Sequence, residues 1–535
     1  MPSLDRRSLL TLAAAAALPW DLAQAQAVGT LRVGMTANAV PLSNGVPDQG
    51  AEGHRFMGIT LYDQLVHWDL SSFDKPAVLK PGLATAWSVD PTNPKRWTFT
   101  LRQGVTFHDG KPMTADDIVF SFDRILKPDS PVFDARAAAL GRSRLFTVAS
   151  YHAAGPHSFV VETTRPDSLL PYLLVWIGIT HQGAWEAAGR NWDNFMLKAV
   201  GSGPYKLESF NIRERCVLVR NAAYWDPART PKTERLVLLP LADANTRVAA
   251  LRSGQVDFIE APPPDAIPAL RQAGFQVVSN VYPHNWMWWL SYLPGSPWLD
   301  PRVRRAANLA IDRAGMKQML GGMMTEGAGV VPAGHPWYGT PQHPPRFNPD
   351  AARKLLAEAG FGPRNPLRTR VAISPSGSGQ MQPLPMNEFV QANLKEVGIE
   401  VSFEISDWNT LFTQMREGAA ALSARGCTAI NASWAPIDPY SAFIRVLHSG
   451  YAPPVAFNWG RHADPATDAA LDAVLAEFDP DKQTTTLRAL HQHLVDSDAA
   501  LFIAHDLNPR ALSPKVQGFV QAQSWFQDLT PIRLT

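Results

Sequence analysis

Cysteine is nearly missing: Cys216 and Cys427 stand alone in a chain of 535 residues. That excludes a disulfide-stapled scaffold, and no Cys pair stands at zinc-ligand spacing. Long apolar runs are also missing. Past the N-terminal segment nothing approaches the ~20 apolar residues that a bilayer-spanning helix needs, so the mature chain is expected to be soluble. Charge of either sign is not in excess. The net charge is +1, and no block of like charge occurs, which gives no footing for nucleic acid or an acidic membrane surface. No internal repeat is visible.

Catalytic and cofactor signatures are absent as well. There is no HExxH, no GxxxxGK[ST], and no GxGxxG after a strand. Ser376-Gly377-Ser378-Gly379 is not a GxSxG elbow. The 14 histidines are scattered, and His491 and His493, two apart, fall on different faces of a helix. Neither a metal nor a cofactor is expected. A glycosidase pair of carboxylates is a matter of geometry that the sequence does not mark.

What is present is a globular balance, 45% hydrophobic and 18% charged, in a chain several times the length of a typical domain of ~100–200 residues. More than one domain is expected. The first 27 residues carry Arg6-Arg7, an apolar run over 9–18 and small residues ending Ala25-Gln26-Ala27. This is the layout of an export signal, and the paired arginines point to the twin-arginine route, with an ordinary secretory signal as the other reading. Cleavage is expected after Ala27, with Ala25 as a competing site. Export permits disulfides, but Cys216 and Cys427 are expected to be separate small buried residues.

Strands and helices alternate along the chain. Strands are expected at 29–37, 97–101, 217–220, 235–239, 256–259, 399–405 and 427–434, and helices at 114–125, 245–253, 302–313, 350–359 and 386–397. Thr114 with Asp117 three residues on is a capping-box pattern. Asp300-Pro301 and Asn348-Pro349 each place a capping side chain before a first-turn proline. This order describes an α/β protein. Tryptophan is abundant at 17 residues, with Trp286, Trp288 and Trp289 in one run. On a strand Trp286 and Trp288 share a face and Trp289 takes the other. Each is either core or a pocket wall.

Five stretches carry a resemblance: LRQGVTFHDGKPMTADDIVFSFDRI (101–125), GSGPYKL (201–207), ALRSGQVDFI (250–259), DPRVRRAANLAIDR (300–313) and NPDAARKLLAEAGF (348–361). In this order they resemble the bacterial extracellular solute-binding proteins of family 5, which include dipeptide-, oligopeptide- and nickel-binding subunits of ABC importers. The resemblance implies a bilobed periplasmic-binding-protein fold of type II, cluster C-like. The first lobe would take 28–66, 196–290 and 509–535, an inserted subdomain 67–195, and the second lobe 291–508. It also implies a monomer that closes by a hinge on a peptide or other small organic solute and delivers it to an ABC permease. No enzyme activity and no nucleic-acid partner are expected. Nickel or metal-chelate binding is the alternative within the family, and a secreted hydrolase the remote one. GSGPYKL is expected to be a tight turn into a strand, with Gly201 and Gly203 freeing the backbone.

In peptide-binding relatives a second-lobe strand ends at a tryptophan, and an aspartate three residues on binds the ligand ammonium. Trp434 matches that tryptophan. Ile437 stands at the aspartate's place, and Asp438 follows one later, directly before Pro439. The loop is shortened by about two residues, so Asp438 either grips an amine or caps a turn. Dipeptide-binding relatives also hold the ligand carboxylate with an arginine in the loop that corresponds to 374–385, and that loop has no Arg or Lys here. Arg425, near the start of the strand that Trp434 ends, is one candidate substitute. Trp286, Trp288, Trp408 and Asn38 are further candidate contacts, each with a plain core, staple or turn role as the other reading.

Overall fold

The structure, a computed structural model, describes residues 29–46, 52–281, 284–377 and 379–535. The export segment expected at 1–27 lies outside the described residues.

Two sheets organise the molecule. The first has seven strands, in spatial order Gln276–Val278, Arg510–Leu512, Phe258–Glu260, Thr30–Met35, Arg235–Pro240, Arg215–Arg220 and Tyr205–Asn211. Thr30–Met35 pairs in parallel with Arg235–Pro240 on one side and Phe258–Glu260 on the other. Its apolar residues Leu31, Val33 and Met35 share one face and have no solvent exposure. The second sheet has six strands, in order Met324–Glu326, Leu501–Asp506, Asn285–Leu290, Cys427–Trp434, Leu367–Ile373 and Ile399–Ile405. The strands read from sequence at 399–405 and 427–434 have those bounds.

The chain leaves the first sheet after Val278, joins the second at Asn285, and returns to the first between Asp506 and Arg510. Asn285–Leu290, expected in the first lobe, pairs with Cys427–Trp434 and Leu501–Asp506 and so lies in the six-stranded sheet. An apolar strand buried on both faces carries no mark of which sheet it joins.

A four-stranded antiparallel sheet, Ala84–Asp90, Asn93–Leu101, Ser158–Thr163 and Val148–Ala153, builds the insertion. Helix Ala115–Leu126 covers it through Ile118, Phe122 and Ile125. The Asp117 carboxylate accepts the Thr114 N–H at 3.0 Å, the reciprocal half of the capping box.

The helix read at 302–313 is two helices, Pro301–Ala310 and Arg313–Met319. Asp312 accepts the Gly315 N–H at 2.9 Å and so caps the second, which ends the first. Gly201 and Gly203 are needed for a different reason than turn freedom. A Cβ on Gly201 would lie 1.9 Å from the Leu61 carbonyl oxygen, and one on Gly203 2.5 Å from that of Thr60. The segment lies backbone to backbone on 60–61, where Gly203 N–H donates to Leu61 O at 3.0 Å. Cys216 and Cys427 are both buried and free, one in each sheet. Among the described residues no helix is long and apolar enough to cross a membrane.

Candidate functional site

The two lobes face each other across a cleft of about 180 Å³. Thr36, Arg55 and Glu260 line it from the first lobe, Gly377 and Met381 from the second, and Asn508 from the crossing. Arg55 is buried and donates to both oxygens of Glu52 at 2.9 Å. It also binds Glu260, which Arg510 reaches at 3.2 Å. Two arginines thus answer two glutamates, a balanced set that suits burial. The Glu260 Oε2 is buried without a partner.

A polar layer runs from there into the second lobe. The Arg55 guanidinium lies 4.5 Å from the Trp525 ring, and Trp525 stacks on His284 at 5.5 Å. His284 Nδ1 is 2.6 Å from Ser433 Oγ, the residue before Trp434. Burial, with Arg55 and Arg445 nearby, holds His284 down at about 3, so it is neutral at ordinary pH. The Ser433 N–H donates to Gln380 Oε1 at 3.1 Å, which ties the strand to the 374–385 loop.

Trp434 ends its strand with its N–H donating to Asn285 Oδ1 at 3.3 Å. Its ring is 8% exposed and packs on Phe457 at 5.6 Å and Phe412 at 6.5 Å. It joins the second-lobe core, and it is not among the residues that line the cleft. Asp438 is fully buried, and its two oxygens accept from the Ser441 N–H at 2.7 Å and the Ser441 hydroxyl at 2.8 Å. This is the geometry of a turn cap. Ile437 packs against the core of the inserted subdomain.

Arg445 follows from the same turn. Its guanidinium carbon is 4.5 Å from the Trp434 centroid and 5.6 Å from that of Phe457, and Nε donates to Ser441 O at 3.3 Å. Arg144 approaches from the inserted subdomain, with its guanidinium 3.6 Å from the Trp176 ring and Nη1 buried without a partner. Tyr440 donates to Ser143 O, which seats Arg144 beside the Asp438 turn. Burial, with Arg445 close by, pulls Arg144 down to about 9. Burial pushes Asp438 up against the pull of both arginines.

The remaining candidates fall elsewhere. Trp286 and Trp288 have no exposure, and their indole N–H groups are used internally, by Gln380 O at 3.0 Å and Asn387 Oδ1 at 2.8 Å. They share a face, as read, and that face is packed under helix Pro383–Glu396 in the second-lobe core. Trp408 is half-buried, and a Cβ on Gly377 would lie 2.9 Å from its ring, so it braces the cleft-lining loop. Its Nε1 is buried without a partner. Asn38 is exposed on the bend after the first strand. Arg425 is corrected: it precedes Cys427–Trp434, at the end remote from Trp434, and faces Glu404 at 3.8 Å. At about 3.3 Å per residue the strand holds it on the order of 25 Å away, too far to act as a clamp.

Sequence reasoning missed Arg144, Arg445, Arg55, Glu260 and His284. None sits in a motif, and Arg144 reaches the site from another domain. Their only sequence trace is the missing arginine in 374–385, which signals that any charge recognition lies elsewhere. Among the described residues no group of three His, Cys, Asp or Glu side chains could hold a metal ion. The arrangement offers shape, stacking surfaces and hydrogen bonds; the Ser433 hydroxyl beside His284 is buried and donates to Asn285 O at 2.7 Å.

The family model described as "Bacterial extracellular solute-binding proteins, family 5 Middle" matches residues 78–452. The periplasmic oligopeptide-binding protein OppA of Salmonella typhimurium is 26% identical over 503 residues, 89% of this chain and 86% of that protein. The glutathione-binding protein GsiB of Shigella boydii is 28% identical over 432 residues, 78% of this chain and 79% of that protein. Among solved structures, a dipeptide-binding protein from Pseudoalteromonas in complex with Met-Leu superposes with a TM-score of 0.80 at 22% identity, covering 95% of this chain and 100% of that one. That likeness is one of fold, and it agrees with the bilobed α/β architecture expected from sequence.

Proposed function

The chain belongs to the bacterial extracellular solute-binding proteins of family 5, which bind solutes for transport and are not enzymes, and on that premise we propose that it captures a peptide or other small organic solute between its two lobes by hinge closure. The observation that carries this reading is the cleft itself, walled by both lobes and bounded by two chain crossings. Two crossings let the lobes rotate with little change inside either sheet. The names of the relatives, an oligopeptide-binding and a glutathione-binding protein, support a peptide-sized cargo.

In this reading Trp434 forms one wall of the solute site. Trp408 supports the loop opposite it, and Asn38 stands at the outer edge, two residues after the cleft-lining Thr36. Trp286 and Trp288 hold the wall from behind. Asp438 shapes the turn that carries Arg445. The protein works in the periplasm as a monomer, after removal of residues 1–27 along the twin-arginine route, and delivers its solute to an ABC permease.

The test is mass spectrometry of what the mature chain releases on denaturation, followed by thermal shift with the compound found. A ligand at 100 times its dissociation constant adds about 2.7 kcal/mol, a clear rise in melting temperature. A chain that releases nothing, and that no peptide or small organic compound stabilises, would overturn the reading.

A further inference from the structure

We propose that the chain holds one monovalent anion of halide size in a small cavity beside Arg144, apart from the solute cleft. The inference does not depend on the solute-binding reading above.

The cavity measures about 20 Å³, and Gly45, Ser121, Arg124, Ile125, Arg144 and Trp176 are among the residues that line it. None of its lining residues also lines the cleft. A buried guest the size of water needs on the order of 10–15 Å³, so one atom-sized particle fits and a carboxylate or phosphate group does not. No acidic side chain lines the cavity.

Donors without acceptors gather here. Arg144 Nη1 and Trp176 Nε1 are buried without a partner, and both residues are more than nine-tenths buried. Asn44, next to Gly45 in the chain, has its Nδ2 buried without a partner as well. The other polar groups of the lining are engaged. Arg124 donates to Asp134 Oδ2 at 2.7 and 3.2 Å and to Asn44 O at 2.8 Å. The Ser121 hydroxyl donates to Asp117 O at 2.8 Å and accepts the Thr180 N–H at 2.9 Å. The Gly141 carbonyl accepts the N–H groups of Arg144 and Leu145 at 3.0 and 3.1 Å. The Arg144 guanidinium lies 3.6 Å from the Trp176 ring, which fixes its plane and leaves its N–H edge as the donor surface.

Charge selects an anion over water. Arg124 is paired with Asp134, but among the described residues Arg144 forms no ion pair. The carboxylate near it is Asp438, which Arg445 shares and whose two oxygens accept from Ser441. His54, stacked on Trp176, is held down at about 3 by burial and is neutral, and the Tyr440 hydroxyl donates to Ser143 O. Two guanidinium groups therefore face one carboxylate out of water, and an uncompensated buried charge is strongly destabilising. A water molecule would satisfy a donor and leave the charge. A halide satisfies the donor and cancels the charge, through hydrogen bonds of the charge-assisted kind.

The experiment has two arms on the mature wild-type chain. In the first, melting is followed while sodium gluconate is replaced by sodium chloride or bromide at constant ionic strength. Both halides are expected to raise the melting temperature by a few degrees along a saturating curve, since gluconate is too large to enter. In the second, crystals grown in bromide are expected to show an anomalous peak in this cavity, at hydrogen-bond distance from the Arg144 guanidinium. Arg144→Met should abolish both the halide response and the peak. The wild-type arms stand without that variant, so its failure to fold would not shield the proposal. Absence of a bromide peak in the cavity would overturn it, whatever the salt does to melting. A peak without a saturable rise in melting temperature would mark an adventitious ion only, and would overturn it too.

Discussion

The guanidinium of Arg445 lies 4.5 Å from the centre of the Trp434 ring, and the turn capped by Asp438 joins the two residues. A cation placed over an indole is attracted by about 0.5–2 kcal/mol, and each group restricts the other. Three side chains that are close in sequence thus act as one piece: the aspartate fixes the turn, the turn aims the arginine, and the tryptophan holds it flat.

Replacing Trp434 with Ala should act on binding and stability together. Loss of a nearly buried aromatic costs about 3–5 kcal/mol of stability. Loss of the stacking wall should weaken solute binding by about tenfold or more. Calorimetric melting of the stripped protein and titration with its released solute separate the two effects. Unchanged affinity in a folded Trp434→Ala protein would remove Trp434 from the site.

Arg425→Ala should leave solute affinity within about twofold of wild type. Its charge partner is an exposed ion pair, worth at most about 1 kcal/mol. Titration against the wild type is the check, and a loss of tenfold or more would mean that the strand end at 427 communicates with the cleft.

Gly201→Ala should prevent folding or cost well over 3 kcal/mol, because the added carbon would stand 1.9 Å from a backbone oxygen. Gly104→Ala is the contrast. That position has φ +77° and nothing within 4 Å of the added carbon, so about 1 kcal/mol of backbone strain is expected. Soluble yield and denaturant midpoints of the two variants distinguish close approach from conformational strain.

Stability should fall as pH drops below about 6.5. Burial holds His54, His284, His335 and His505 down at about 3. A histidine with a depressed folded pKa takes its proton more readily in the unfolded chain. Its contribution is therefore full above the unfolded value and lost on acidification, at about 1.4 kcal/mol per pH unit per group. Asp498 and Asp506 oppose this, since burial lifts both to about 6 and their contribution grows as pH falls from 6 toward 4. Asp506→Asn should raise the melting temperature at pH 7 and steepen the acid loss. Scanning calorimetry between pH 4 and 8 tests both signs.

Local rules located most of the elements. The capped helix after Thr114, the strands at 399–405 and 427–434 and the helix ended by Gly360 follow from periodicity and end chemistry, which act within a few residues. The helix at 302–313 was read as one because its apolar spacing continues past the cap at Asp312. The role of Gly201 was missed because the atom it must avoid belongs to Leu61. Trp286 and Trp288 were correctly placed on one face, and only their packing under helix Pro383–Glu396 shows that this face is core.

The sequence by itself determined the fold class, the family, the absence of catalytic motifs and the tryptophan that ends the Cys427–Trp434 strand. These depend on residue type, spacing and order along one chain. Tertiary structure decided which sheet takes Asn285–Leu290, that Arg425 is remote, and that Arg144 and Arg445 meet beside Asp438. Those are relations between segments far apart in sequence, settled by strand pairing and by where buried charge can be balanced, and neither leaves a local pattern to read.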